Sequence, residues 1–367
     1  LAPPAVVVIP MSMHFGAPCT PLVKAGDHVK VGQKIGEFHG LGAPIHASVS
    51  GTVKAVEPRP YSMGGNITSV VIENDMQDEV SEEVQAPADP NALSVEEMVE
   101  IVKNAGIVGM GGATFPTHVK ITSGIGKVNT VIINGAECEP YITGDHRTML
   151  ERPEEIIGGA KFLAKMFGVD KVVIGVEDNK QNGIDAMNKV IAEKKAPVVV
   201  EPLRCRYPQG GEKQLIQAIT GRQVPPGGLP ADVGCAVFNV GTAAAVYDAV
   251  VEGKPLTHRI LTVTGDVPPA AELAVRMEGD SMAPYIPSGS VIYIHHAPLA
   301  NGDVGLFCIG GAMLVRQYTR GEGGAVRLLP LNRTAGEVLT FPTGSVSGPT
   351  CFGRALLRTL PLPESAM

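Results

Sequence analysis

The sequence predicts an α/β core set between a β-rich N-terminal unit and an all-β C-terminal unit. Three observations predict it. Between about residues 94 and 266, segments with helical spacing of apolar residues alternate with short apolar runs, the pattern of a parallel or mixed sheet covered by helices. Before it, short valine and isoleucine runs are separated by Gly-Asp and Ser-Gly turns, and after it short strands and turns return. The 367 residues have room for two or three hydrophobic cores, and 44% hydrophobic content with 44 glycines and 30 prolines describes a turn-rich globular chain.

Charge and composition exclude several classes. Formal net charge is −7 and lysines and arginines are not clustered, so no nucleic acid partner is expected. No run of about 18 uncharged apolar residues exists, so direct membrane insertion is not expected. The start, Leu1-Ala-Pro-Pro-Ala5, lacks a methionine and a charged leader and reads as a trimmed or mature boundary. Cys19, Cys138, Cys205, Cys235, Cys308 and Cys351 are scattered, with no C-x-x-C unit. Neither a zinc site nor an iron–sulfur cluster is therefore encoded locally, and the thiols suit a reducing cytosol.

The N-terminal unit spans residues 1–76. Its phrases Ala25-Gly-Asp-His-Val-Lys-Val-Gly-Gln-Lys-Ile-Gly-Glu37 and Pro44-Ile-His-Ala-Ser-Val-Ser-Gly-Thr-Val-Lys-Ala-Val56 resemble the two halves of a biotinyl/lipoyl-type barrel-sandwich hybrid. That family carries its prosthetic group on a hairpin lysine. The corresponding stretch here, Phe38-His-Gly-Leu-Gly42, has none, so a structural or docking module is expected rather than a swinging arm. Residues 77–93 are acidic and proline-bearing, a linker composition.

The α/β unit, 94–266, opens at Ser94, whose spacing to Glu97 is that of a capping box. Thr130–Asn134 reads as a buried strand. Pro153 starts a helix to about Met166, followed by a strand from Lys171. Ile184, Met187 and Ile191 share one helical face, and Val198–Glu201 is the next strand. Such sheets bind ligands at the carboxyl ends of their strands.

Four loops concentrate the polar and glycine residues. Gly109-Met-Gly-Gly112 leads through Pro116 into a helix carrying Lys120; glycines permit close backbone approach, and a helix N-terminus attracts anions. Alone, such a stretch is equally a tight structural turn. Asn134-Gly-Ala-Glu-Cys-Glu139 follows a strand, where carboxylates can bind ribose or ribityl hydroxyls and Asn134 can serve a flavin edge; a solvated cluster of Glu137, Glu139, Asp145 and Arg147 is the alternative. Tyr207-Pro-Gln-Gly210-Gly211-Glu212 and Phe238-Asn239-Val-Gly-Thr242 complete the set. All four are expected after a strand and before a helix.

The stretches Gly109–Lys120, Asn134–Met149, Tyr207–Leu215 and Phe238–Val250 resemble, in order, the RnfC subunit of the Rnf electron-transport complex and, more distantly, the flavoprotein subunit of respiratory complex I. The resemblance covers roughly residues 5–265. It implies a complex I flavoprotein-like, Rossmann-like core with non-covalent FMN reduced by NADH. Gly109, Gly111, Gly112 and Lys120 would then cradle the FMN phosphate region. Asn134, Glu137 and Glu139 would lie along flavin and nicotinamide. Tyr207, Gly210, Gly211 and Glu212 would flank the cofactor, and Asn239 and Thr242 would contact its phosphate. No side chain is expected to act as acid or base. Other Rnf subunits are the implied partners, and the implied location is cytoplasmic, peripheral on the inner face of the membrane. The family continues past a stretch like Leu261–Asp266 into a β-grasp domain and iron–sulfur motifs, which this sequence does not show. A truncated core or a fusion is therefore expected, the alternative function being a binding or scaffold module.

The C-terminal unit, 267–367, contains Gly279-Asp-Ser-Met-Ala-Pro284, which resembles the LexA-type serine peptidase and phage-repressor domain. By that resemblance Ser281 is the nucleophile and a later lysine the base, yet Arg316 stands at the lysine's place and no lysine lies between Lys254 and Met367. Arginine does not deprotonate, so an inactive peptidase fold is expected, one that could dimerise the chain.

Overall fold

The computed structural model describes residues 3–61, 65–139, 142–257, 271, 273–309, 312–321, 323–343, 345 and 348–357. The chain divides into two compact units, residues 1–262 and 263–367.

In the first unit, turn-separated valine and isoleucine runs make two small sheets. Strands β1 (Val6–Pro10), β3 (His28–Val29), β6 (Gly51–Pro60) and β7 (Asn66–Asn74) pair in the order β1-β7-β6-β3. Strands β2 (Thr20–Pro21), β4 (Lys34–Glu37) and β5 (Ile45–His46) form the other sheet. Their inward residues, among them Ile9, Met11, Ile35, Ile45 and Ile72, are fully buried. No lysine stands in the turn between β4 and β5.

The acidic 77–93 stretch is held, not free. Val80 bridges Val31, Ser81 N–H donates to the Val31 carbonyl (2.9 Å), and Lys30 pairs with both Glu79 and Glu82. Barrel and α/β core also share contacts: Phe15 N–H donates to the Thr114 carbonyl (3.0 Å). The predicted separation into barrel, linker and core therefore becomes one packed unit.

The α/β core follows the apolar periodicity. Helix α1 (Val95–Asn104) begins at the capping box of Ser94 and Glu97. Helix α2 is Thr117–Gly124, strand β8 Thr130–Gly135, helix α3 Gly144–Glu151 and helix α4 Pro153–Phe167. Strand β9 (Val172–Glu177), helix α5 (Gln181–Lys194), strand β10 (Val198–Leu203), helix α6 (Glu212–Thr220), strand β11 (Cys235–Asn239) and helix α7 (Val240–Glu252) complete it. The sheet is parallel, ordered β10-β9-β8-β11.

Alternation along β8 builds three layers. Val131 and Ile133 face the core under α1, α4, α5 and α7, whereas Ile132 faces Leu215 and Ile216 of α6. Helices α4 and α7 cross so closely that a Cβ at Gly159 would lie 1.8 Å from the Ala243 carbonyl oxygen.

The chain lays down β8, β9 and β10 in one direction and then returns to place β11 on the other side of β8. That reversal is a topological switch point, where such sheets open a crevice. One expectation changes here: the Gly109 loop follows helix α1, not a strand. A single bridge between Val108 and Pro116 closes it, and Pro116 is the N-cap of α2.

In the second unit, β12 (Leu273–Arg276), β13 (Val291–His295), β14 (Val304–Ile309), β15 (Ala312–Arg320), β16 (Val326–Leu329), β17 (Leu339–Phe341) and β18 (Thr350–Ala355) form one antiparallel sheet, ordered β12-β13-β18-β14-β15-β16-β17. Met277, Met282, Ile286, Ile292, Ile294, Leu306 and Val315 form its core. The Leu261–Asp266 stretch lies outside the described residues.

Candidate nucleotide site

The switch point sets Asn134 at the end of β8 directly beside Asn239 at the end of β11. Both amides are engaged in tying loops together. Asn134 Nδ2 donates to the Gly210 carbonyl (2.9 Å) and its Oδ1 accepts from Ala136 N–H (3.1 Å). Asn239 caps α7 by accepting from Gly241 N–H (2.7 Å), and its Nδ2 donates to Asp145 Oδ2 (2.6 Å). The Asn134 amide expected at a flavin edge thus serves the protein's own loops, although Oδ1 keeps acceptor capacity.

The Gly109 loop forms one wall. Gly109 N–H closes on the Phe115 carbonyl (2.9 Å), and Met110 N–H donates to Oγ1 of the fully buried Thr242 (2.9 Å). Gly111 has φ +68 and packs its bare Cα against Asn239, where a Cβ would lie 3.1 Å from Nδ2. A Cβ at Gly112 would meet nothing within 4 Å, so that stretch presents open backbone to the crevice. At the back stands Lys120: Nζ donates to the Val237 carbonyl (2.6 Å) and Glu212 (2.9 Å) and lies 5.3 Å from the centre of the Phe238 ring.

The opposite wall is the turn into α6. A Cβ at Gly210 would lie 2.1 Å from the Ala136 carbonyl oxygen, so only glycine fits there. Tyr207 is 76% exposed at the rim. These walls enclose a cavity of about 480 Å³ bordered by every predicted cofactor residue except Glu137, within the size range of small-molecule sites.

Glu137 is the exception because it is buried and turned away, accepting from Asp145 N–H (2.9 Å) and His146 N–H (3.4 Å) at the start of α3. The predicted charge cluster therefore splits. Arg147 pairs along its helix with Glu151, and Asp145 turns inward to Asn239. Burial, reinforced by the charges of Glu137 and Glu139, raises the Asp145 carboxyl to about 6 against the opposing Asn239 hydrogen bond. Pro140 and Tyr141 of this loop lie outside the described residues.

Sequence reasoning missed the buried Glu177–Lys180 pair at the end of β9. Lys180 Nζ meets Glu177 Oε2 at 3.1 Å and the Glu137 carbonyl at 3.4 Å, fixing the Asn134–Thr143 loop from below. The only signal was an acid and a lysine three apart immediately after an apolar run. Among the described residues no group of three or more His, Cys, Asp and Glu side chains could hold a metal ion, and no helix is long and apolar enough to cross a membrane.

In the C-terminal unit, Ser281 and Arg316 come together as the sequence placed them. Arg316 Nη1 donates to Ser281 Oγ (2.9 Å) and to the Val315 carbonyl (2.8 Å).

The class follows from the two N-terminal parts: a barrel-sandwich module packed on a flavin-type α/β domain. Residues 1–77 match the RnfC barrel sandwich hybrid domain and residues 102–248 the Nuo51 FMN-binding domain; residues 239–343 match a Peptidase S24-like model. The chain is RnfC-like: it is 51% identical over 265 residues to the RnfC-type subunit of the Na(+)-translocating ferredoxin:NAD(+) oxidoreductase complex of Acetobacterium woodii, covering 72% of this chain and 60% of that one. It is 47% identical over 264 residues to the corresponding subunit of the proton-translocating ferredoxin:NAD(+) oxidoreductase complex of Clostridium ljungdahlii, covering 71% and 57%. It is 40% identical over 266 residues to the corresponding subunit of the ion-translocating oxidoreductase complex of Vibrio cholerae, covering 72% and 34%. The chain thus spans 60% or less of these relatives' own length.

Proposed function

We propose that this chain binds FMN in the cavity at the β8–β11 switch point and oxidises NADH there, as the nucleotide-handling part of an ion-translocating ferredoxin:NAD+ oxidoreductase. The observation that carries this reading is the 480 Å³ cavity itself, which combines bare glycine backbone, the Lys120 ammonium and two helix N-termini at one switch point. The match of residues 102–248 to an FMN-binding domain and the names of the relatives support it.

The residues present fit the cofactor. Gly112 leaves space that any other side chain would fill. Lys120 and the N-termini of α6 and α7 supply positive potential for a phosphate. When bound, FMN supplies the chemistry of accepting a hydride and releasing electrons singly. The chain's residues bind, orient and exclude water. Asn239 and Thr242 fix the floor, Gly210 lets the far wall close, and Glu139 and Tyr207 stand where a dinucleotide would enter. No proton transfer by a side chain is required. Association with the other proteins of such a complex, and through them with the inner face of a membrane, belongs to the same proposal. For the C-terminal unit we propose no peptidase activity, because the guanidinium beside Ser281 cannot act as a base.

The test is an anaerobic absorbance spectrum of FMN-loaded, desalted protein before and after NADH. Retained flavin that bleaches is the expected result. Failure to retain flavin would overturn the binding proposal; retained flavin that NADH does not bleach would overturn the oxidation step.

A further inference from the structure

We propose that the Ser281–Arg316 pair in the C-terminal unit is a binding site for a carboxylate. The inference is independent of the flavin site.

Arg316 projects from β15 and is only 8% exposed. Its Nη1 is satisfied by Ser281 and by the Val315 carbonyl, but Nε is buried without a partner. Among the described residues no carboxylate pairs with it, and burial alone acts on its charge. The first unit treats a buried cation differently: Lys180 is matched to Glu177 at 3.1 Å. A buried guanidinium without a counter-ion carries a desolvation penalty that one hydroxyl and one carbonyl do not offset. An anion supplied from outside would complete it.

Ser281 is poised to help. Its oxygen accepts from Arg316, so its own hydroxyl proton is directed elsewhere and can be donated to a ligand. The turn is stiff: Ala283 N–H donates to the Asp280 carbonyl (3.0 Å), and Asn332 grips both Ser281 O (3.0 Å) and Asp280 O (3.0 Å) through its backbone and side chain. Gly336 lies beside it, where a Cβ would be 3.3 Å from Ser281 Cβ, so no side chain intrudes from that loop. Ser281 itself is half-buried, leaving the pair reachable.

The chemistry selects the ligand. A guanidinium that keeps its proton makes the pair donor-only toward a ligand, and a planar fork with one hydroxyl matches the oxygens of a carboxylate. One positive charge balances one carboxylate. That group can belong to a free small acid or to the C-terminus of a peptide.

The test is isothermal titration of the full chain, at constant ionic strength, with acetate, with N-acetyl-trialanine bearing a free terminal carboxylate, and with its carboxamide. Both carboxylates should bind and the carboxamide should not. Arg316→Met should weaken binding about tenfold to a hundredfold, and Ser281→Ala several-fold, as expected for charge-assisted and neutral hydrogen bonds respectively. Peptide binding much tighter than acetate would assign the site to chain ends; equal binding would assign it to small acids. Absence of binding by either carboxylate, or unchanged affinity in Arg316→Met, would overturn the proposal. Should Arg316→Met fail to fold, Ser281→Ala decides, since it removes only a hydroxyl from a half-buried turn.

Discussion

Asp145 links the stability of the nucleotide site to pH, and Asp145→Asn isolates the link. Its Oδ2 accepts the Asn239 hydrogen bond at 2.6 Å, and burial with neighbouring acids raises its carboxyl from 3.8 to about 6. The folded chain therefore holds this proton more tightly than the unfolded chain. The corresponding stability is fully present below about 3.8 and is lost as pH rises through about 6. That interval corresponds to roughly 3 kcal/mol of destabilisation once the group is ionised. Asparagine keeps a carbonyl acceptor for Asn239 and removes the charge. Asp145→Asn should therefore be more stable than the parent by about 1–3 kcal/mol near pH 7.5, with the gain vanishing near pH 4. The assay is urea unfolding followed by hydrogen exchange of peptides from α3 and α7, so that the C-terminal unit does not contribute. A gain of equal size at both pH values, or a loss near pH 7.5, would refute the reasoning that an ionised Asp145 strains this site.

Three further perturbations separate binding from stability. Lys120→Met should weaken FMN retention in equilibrium dialysis by about tenfold or more. Its unfolding midpoint should barely move, because an exposed pair such as Lys120–Glu212 contributes less than about 1 kcal/mol. Gly159→Ala places a Cβ 1.8 Å from the Ala243 carbonyl oxygen, and spreading α4 from α7 should cost about 1–3 kcal/mol in urea unfolding. Lys180→Met leaves Glu177 buried without its partner and should cost about 3–5 kcal/mol; adding Glu177→Gln should restore most of that loss.

Local signals in the sequence were legible where short-range physics decides the outcome. The Ser94–Glu97 capping box, the helix opened by Pro153 and the apolar runs of β8, β9 and β10 depend on neighbouring residues alone. The glycine loops were legible as a set because each needs bare backbone at a defined place. Side-chain direction was not. Glu137 and Glu139 are two apart in one loop, yet one is buried against the N-terminus of α3 and the other borders the cavity. Nothing in their spacing distinguishes them, since the choice depends on where α3 is packed. The Gly109 loop likewise reads as a strand-to-helix turn, but Val108 makes only one bridge, with Pro116. The acidic composition of 77–93 implied a tether; Lys30, distant in sequence, converts it into a packed strap.

The same long-range contacts give the barrel a role in the site that its missing lysine does not suggest. Thr114, in the cavity wall, has φ +51, a conformation unfavourable for a β-branched residue. Its carbonyl is held by Phe15 N–H at 3.0 Å, and the Phe15 and Phe115 rings lie 5.8 Å apart. The barrel thus supports the glycine loop at the residue where that loop is most strained. A swinging arm would need a mobile hairpin carrying a lysine; a buttress needs a rigid barrel with a short turn against its neighbour. The buried Ile9, Met11 and Ile35 supply that rigidity, and the packed 77–93 strap removes the freedom a tethered module would require.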